Sequence, residues 1–366
     1  MDYFWHMIKS NQSKLVFFIS VIFLSVSSCK HEPVTYCTPE IATPNTATPF
    51  RLVVPAGFPP MDIPVDNPFT VEGIELGRKL FYDPQLSGDN TQACASCHQT
   101  EASYSDTNQF STGIDGSIGT RNAMAVVNIG YSFSLFWDGR AATVEEQALA
   151  PVVNPIEMNT TWPEVLLKLN ADQYYRSMFK IAFNVDVIDS FDVAKALAQF
   201  ERTMLSGNSK FDKAGRGELS LSESERRGQD LFFTERADCF HCHGTALFMG
   251  FDYENNGVQQ VMTDFGLGDV TGFSTDKGKF KPTTLRNIEF TSPYMHDGRF
   301  KTLEEVVEFY NSGVNQSSPN VSPLMLKANR PAGNLNLSRQ EKEDLVAFLK
   351  TLSDPSFLTI PKFMEP

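Results

Sequence analysis

The chain has 366 residues, too many for one small domain, and an allotment of about 100–200 residues per domain predicts two. A hydrophobic fraction of 41% with 30 Phe suits full-sized cores and excludes a disordered or fibrous chain. A formal net charge of −13 argues against nucleic-acid binding, whose affinity comes mostly from phosphate neutralisation, and six Cys are too few for a disulfide scaffold.

Lys9 and Lys14 precede an apolar run from Leu15 to Val26 and then Ser27-Ser28-Cys29. That order predicts a secretory signal over residues 1–28, since the run is shorter than the roughly 20 apolar residues that span a bilayer. Val26-Ser27-Ser28-Cys29 is similar to a bacterial lipobox and predicts lipidation at Cys29. An ordinary cleaved signal with an incidental Cys is the alternative. Either reading exports the protein; the first places it in the periplasm of a Gram-negative bacterium, touching a membrane only through a lipid anchor. Residues 29–60 are rich in Thr and Pro and predict an extended tether in which Cys37 is incidental.

Two segments then carry the chemistry. Cys94-Ala95-Ser96-Cys97-His98 and Cys239-Phe240-His241-Cys242-His243 are both C-x-x-C-H, the spacing at which two thiols form thioethers to haem vinyls and the adjacent His reaches the iron. A redox Cys pair or a zinc site would leave both paired His unexplained. The chain is therefore expected to carry two covalent haem c groups.

The flanks repeat as well. Leu76-Gly77-Arg78-Lys79-Leu80-Phe81 resembles Arg227-Gly228-Gln229-Asp230-Leu231-Phe232, and Asp138-Gly139-Arg140 recurs as Asp297-Gly298-Arg299. Arg121-Asn122 is matched to Arg286-Asn287. A repeat this long predicts two like domains, each round one haem: a mainly α fold of two cytochrome-c-like domains related by internal duplication, with long loops. The boundaries are placed at 61–215 and 216–366. Helix starts are expected at Thr143 and Thr302, and capping boxes at Ser222 with Glu225 and at Ser338 with Glu341.

A haem with both axial positions held transfers electrons, and one with an open position reacts. The first half has no further His after His98, so its iron is expected to be open unless Met124 or Met158 closes it. In the second half, Tyr310 lies on the same 159-residue offset from Pro151 that separates Asp138 from Asp297; a tyrosine oxygen can ligate iron and proline cannot. Met295 and Met325 are the competing ligands. Gln147 and Glu157 stand near Pro151, and splitting a peroxide bond needs a base and a polar donor of these kinds.

Those residues, with Phe136-Trp137-Asp138-Gly139-Arg140, Asn154-Pro155-Ile156-Glu157-Met158 and Ser292-Pro293-Tyr294-Met295-His296-Asp297-Gly298, resemble the bacterial di-haem cytochrome c peroxidase and MauG family over roughly Asp66 to Leu352. The resemblance implies a peroxidatic N-terminal haem, ligated by His98, and a C-terminal haem, ligated by His243, that receives electrons. It implies catalytic roles for Glu157 and Gln147, an inter-haem tryptophan at Trp137, and a calcium ion held through Asn122, Thr291 and Pro293. It also implies hydrogen peroxide as substrate and a small periplasmic electron donor, a cytochrome c or cupredoxin; a homodimer is left open. Two departures stand out. The segment Phe110–Gly116, where many such peroxidases carry a distal His, has none, and Tyr310 falls where many carry a distal Met. Three functions stay in view: a peroxidase, a MauG-like oxidase that modifies a protein or small organic substrate, and an electron carrier with two saturated haems.

Overall fold

The structure, a computed structural model, describes residues 47–326 and 334–366. The signal segment, Cys29, Cys37 and the tether up to residue 46 lie outside them. The described residues are mainly helical, and their extended pairing is limited to isolated bridges. None of their helices is long and apolar enough to cross a membrane.

The first part of the body contains α1 (Val71–Phe81), the four-residue α2 (Cys94–Cys97), α3 (Val144–Val153), α4 (Trp162–Ala171), α5 (Gln173–Phe183) and α6 (Ser190–Arg202). After them come α7 (Lys210–Gly215), α8 (Glu223–Phe232), α9 (Phe240–His243), α10 (Leu267–Thr271), α11 (Leu303–Glu308) and α12 (Arg339–Lys350). The four expected helix starts are formed: Thr143, Ser222, Thr302 and Ser338 each accept a hydrogen bond from the backbone N–H three residues on. Each such cap satisfies one of the orphan donors at a helix N-terminus.

Two helix crossings organise the packing, α1 on α6 and α8 on α12. Each depends on a glycine of the repeated segment. A methyl group at Gly77 would lie 1.9 Å from the Ala196 carbonyl oxygen, and one at Gly228 would lie 1.9 Å from that of Asp344. Leu76, Leu80, Phe81, Val193, Leu197 and Phe200 fill the core beside the first crossing. Phe232, Phe248, Leu345, Phe348 and Leu349 fill the core beside the second. Phe357 and Phe363, near the C-terminus, belong to the first core.

Residues 47–60, expected as the end of the tether, are extended but held on the body. Thr48 donates through N–H and hydroxyl to Glu72 (2.7 and 2.9 Å), and the Pro59 carbonyl accepts from the Tyr131 hydroxyl at 3.0 Å.

Local geometry corrects one sequence match. Asn128 and Asn287 both sit at left-handed backbone angles (φ 57° and 62°) and head 3-10 turns at Ile129–Tyr131 and Ile288–Phe290. Asn128 Oδ1 accepts the Ser206 N–H at 3.0 Å, and Asn287 Oδ1 accepts the Asp354 N–H at 2.9 Å. The counterpart of Asn287 is therefore Asn128, not Asn122. Asn can adopt this conformation and bond locally, which the position requires. The same 159-residue offset relates the bridge Leu135–Ala141 to Tyr294–Phe300, and Phe136 (φ 63°) to Met295 (φ 76°).

Candidate active site

At the first C-x-x-C-H segment, α2 carries both thiols, with Cys94 packed against the first core. His98 follows as its C-cap and donates from Nδ1 to the Tyr104 carbonyl at 2.9 Å. At the second, Cys239 N-caps α9, and His243 donates from Nδ1 to the Phe248 carbonyl at 3.0 Å. A carbonyl on Nδ1 fixes the tautomer and leaves Nε2 with a lone pair for a metal. Burial lowers the pKa of both imidazoles, keeping them neutral as ligation requires, although those carbonyls act in the opposite direction.

None of these four cysteines is in a disulfide. Burial raises all their pKa values, with Cys239 pushed up to about 12 and Cys242 to about 11. Thiols with so little thiolate character are poor redox-exchange groups. A largely apolar cavity opens beside Cys239, Cys242 and His243, and Tyr310, Met295 and Met325 border it too. These residues fit a covalent haem with its proximal imidazole.

Tyr310 lies in a π-helical turn, Phe309–Gly313, that continues α11. Such turns are rare and occur often at functional sites. Asn256 Nδ2 donates to the Tyr310 hydroxyl at 3.2 Å and to Met295 Sδ at 3.4 Å, so two of the three candidate ligands meet one amide. Burial pushes the phenol up to about 12, against the Asn256 hydrogen bond. The protein alone therefore keeps it protonated. Asn256 had no signal in the sequence.

The structure brings Glu157 to the first thiol pair, where its charge is felt by both Cys94 and Cys97. Burial raises its pKa, opposed by the Asn154 amide that donates to it at 2.6 Å and by the Arg140 charge. The segment without a distal His lies directly on it: the Ile114 N–H donates to the Glu157 carbonyl at 3.0 Å. Gln147 is half-buried on α3, one turn before Pro151 and on the same side of the helix. Met158 is buried in the first core, while Met124 borders the cavity.

Trp137 donates from Nε1 to the Asn122 carbonyl at 2.8 Å and accepts the Lys281 N–H at 2.9 Å. Its indole meets His296 edge-on at 6.5 Å, and His296 stacks on Phe280 at 3.7 Å. Asn122, Thr291 and Pro293 border one cavity with Trp137. The Asn122 side chain donates to the Asn108 and Gln109 carbonyls at 3.1 and 3.2 Å, and its backbone N–H donates to the His296 carbonyl at 2.7 Å. Lys281 is also buried here, its ammonium against the Ser134 carbonyl, and burial brings its pKa down to about 8.

Two thiol pairs, each followed by a neutral, oriented imidazole, define a two-haem c-type cytochrome. A family profile described as di-haem cytochrome c peroxidase matches residues 71–220. Cytochrome c551 peroxidase of Nitrosomonas europaea is 36% identical over 82% of this chain and 86% of its own length. The methylamine utilization protein MauG of Methylorubrum extorquens is 34% identical over 82% and 83%. A crystal structure of a MauG-like protein associated with microbial copper homeostasis superposes with a TM-score of 0.78, at 35% identity, over 87% of this chain and 99% of that one. The di-haem peroxidase BthA of Burkholderia thailandensis, at 23% identity and a TM-score of 0.70, shares the fold. The chain belongs to the di-haem cytochrome c peroxidase and MauG family, and is a peroxidase-type oxidoreductase with two haem c groups.

Proposed function

We propose that the chain reduces hydrogen peroxide to water at the haem attached to Cys94 and Cys97, with electrons entering through the haem attached to Cys239 and Cys242. The observation that carries this reading is the half-buried Glu157 carboxyl beside the first thiol pair, under a segment that holds no histidine. The haem supplies an iron that binds peroxide and exchanges electrons. Glu157 takes a proton from one peroxide oxygen and returns it to the other, and Gln147 orients the molecule by hydrogen bonding. Two electrons and two protons convert one peroxide into two waters. His98 and His243 would hold the two haem irons, Tyr310 would supply an oxygen donor to the second, and Trp137 would carry electrons between the sites. An Asn122, Thr291 and Pro293 oxygen set would suit calcium, a hard cation.

The two halves, 61–215 and 216–366, derive in this reading from one duplicated unit, supported by the paired glycine crossings and the common 159-residue offset. The protein acts in the periplasm, tethered by a lipid on Cys29, and takes electrons from a small cytochrome c or cupredoxin. A second reading, MauG-like oxidation of a protein or organic substrate, is favoured by Tyr310 standing where many peroxidases of the family carry a Met, because a hard oxygen donor stabilises oxidised iron.

Stopped-flow mixing of fully oxidised holoprotein with peroxide, without reductant, tests the open first site. A rapid spectral change is expected, and a reaction seen only after pre-reduction would refute it. Steady-state turnover with a reduced small cytochrome then separates the readings: fast turnover supports the peroxidase, and peroxide reaction without turnover supports the oxidase.

A further inference from the structure

Glu201, in the last turn of α6, is 5% exposed, and its Oε2 has no hydrogen-bond partner among the described residues. The adjacent Arg202 does not serve it, since both terminal guanidinium nitrogens go to Glu145 on α3, at 2.6 and 2.7 Å. The remaining elements packed on α6 offer no counter-charge. The buried face of α1 is Gly73, Leu76, Gly77, Leu80 and Phe81, and that of α3 is Val144, Ala148 and Val152. The turn Ile129–Tyr131 brings only the Tyr131 hydroxyl, committed to Pro59. Glu201 is also the acid felt most strongly at the Cys94 thiol, ahead of Glu157. Burial pushes its carboxyl up to about 8, with Arg202 acting against this and Glu145 with it.

We propose that Glu201 couples a proton to electron transfer at the first site, taking up one proton as the haem attached at Cys94 gains one electron and releasing it when the electron leaves. An external one-electron reductant is oxidised, the iron passes from ferric to ferrous, and a proton from solvent forms the O–H bond on Glu201. The physical reason is the low-dielectric pocket. An unpaired carboxylate there is costly, and an added electron nearby raises its proton affinity further. The coupling window lies between the carboxyl pKa with ferric iron and its higher pKa with ferrous iron. The inference rests on the two-haem assignment and not on peroxide reduction.

Potentiometric titration of the holoprotein from neutral pH up through the alkaline range, where that window lies, tests it. One haem potential should fall as pH rises, by up to about 59 mV for each tenfold drop in proton activity. Glu201→Gln should flatten that slope with both haems retained, and Glu201→Asp should restore it. A flat slope in the unaltered protein, or an unchanged slope in Glu201→Gln, overturns the proposal. If Glu201→Gln fails to mature, reduced-minus-oxidised infrared spectra of the Glu157→Gln holoprotein decide the matter. A protonated carboxyl band should grow on reduction, and its absence overturns the proposal. Neither readout uses peroxide, so its outcome is distinct from that of the peroxidase reading.

Discussion

Trp137 and His296 occupy corresponding places in the two halves, each directly before an Asp-Gly-Arg turn, and their rings meet edge-on at 6.5 Å. The repeat thus brings together two different aromatic rings, one from each half. Asn122 braces both, accepting from the Trp137 indole and donating to the His296 carbonyl.

Trp137→Phe keeps an aromatic ring but loses the indole N–H and its bond to Asn122. Electron equilibration between the haems should slow, while both haems remain attached. Rapid-mixing reduction followed at the two haem bands measures this. Equilibration at the original rate would remove Trp137 from the route.

Glu157→Gln preserves size but cannot accept a proton, so peroxide turnover should fall by about 10²–10⁴-fold with normal haem content. The pH profile gives a second check. A raised carboxyl pKa means that the base form is lost, as pH falls, at a higher pH than for an ordinary glutamate. The acidic limb of turnover should therefore lie above the usual carboxylate range and disappear in Glu157→Gln.

Gly77→Ala and Gly228→Ala each place a methyl group 1.9 Å from a backbone oxygen of the crossing helix, which cannot move aside as a side chain tip can. Overpacking of this kind typically costs about 1–3 kcal/mol, and occasionally more. Both variants should unfold at lower denaturant concentration. Gly215→Ala, where a methyl group meets nothing within 4 Å, is the control.

Replacing Cys239 and Cys242 by Ala should remove one covalent haem and leave the other. Pyridine haemochrome analysis gives the count. Two haems per unaltered chain and one in the variant are expected.

Calcium removal should weaken coupling between the haems, since Asn122, which would contribute a ligand, also braces Trp137 and His296. Redox equilibration before and after chelation, then after adding calcium back, checks this. An unaffected rate after complete removal would count against the ion.

What could be read from the sequence was local. The C-x-x-C-H segments, the capping threonines and serines and the Asp-Gly-Arg turns each state their chemistry within a few residues. The mismatch of Asn122 with Asn287 shows the limit. A two-residue identity outweighed the constant offset, because the left-handed backbone that Asn128 and Asn287 share leaves no mark in composition. Glu201, Asn256 and Lys281 were illegible for a different reason. Their character comes from burial by segments far away in the chain, and a Glu beside an Arg reads as an exposed pair.

The packing of Phe357 and Phe363 on the first core also bears on biosynthesis. The Tyr104 carbonyl that orients His98 belongs to a residue whose hydroxyl donates to the Phe363 carbonyl, 259 positions further along, and the Tyr82 hydroxyl donates to the same oxygen. Arg78 holds the carbonyls of Pro361, Met364 and Glu365. A ribosome finishes the first thiol pair long before it makes that brace. The brace on Tyr104, Tyr82 and Arg78 therefore forms only after residues 361–365 have been made. Although the Cys94–His98 segment is translated early, the carbonyl that braces Tyr104 comes 259 positions later in the chain than Tyr104 itself.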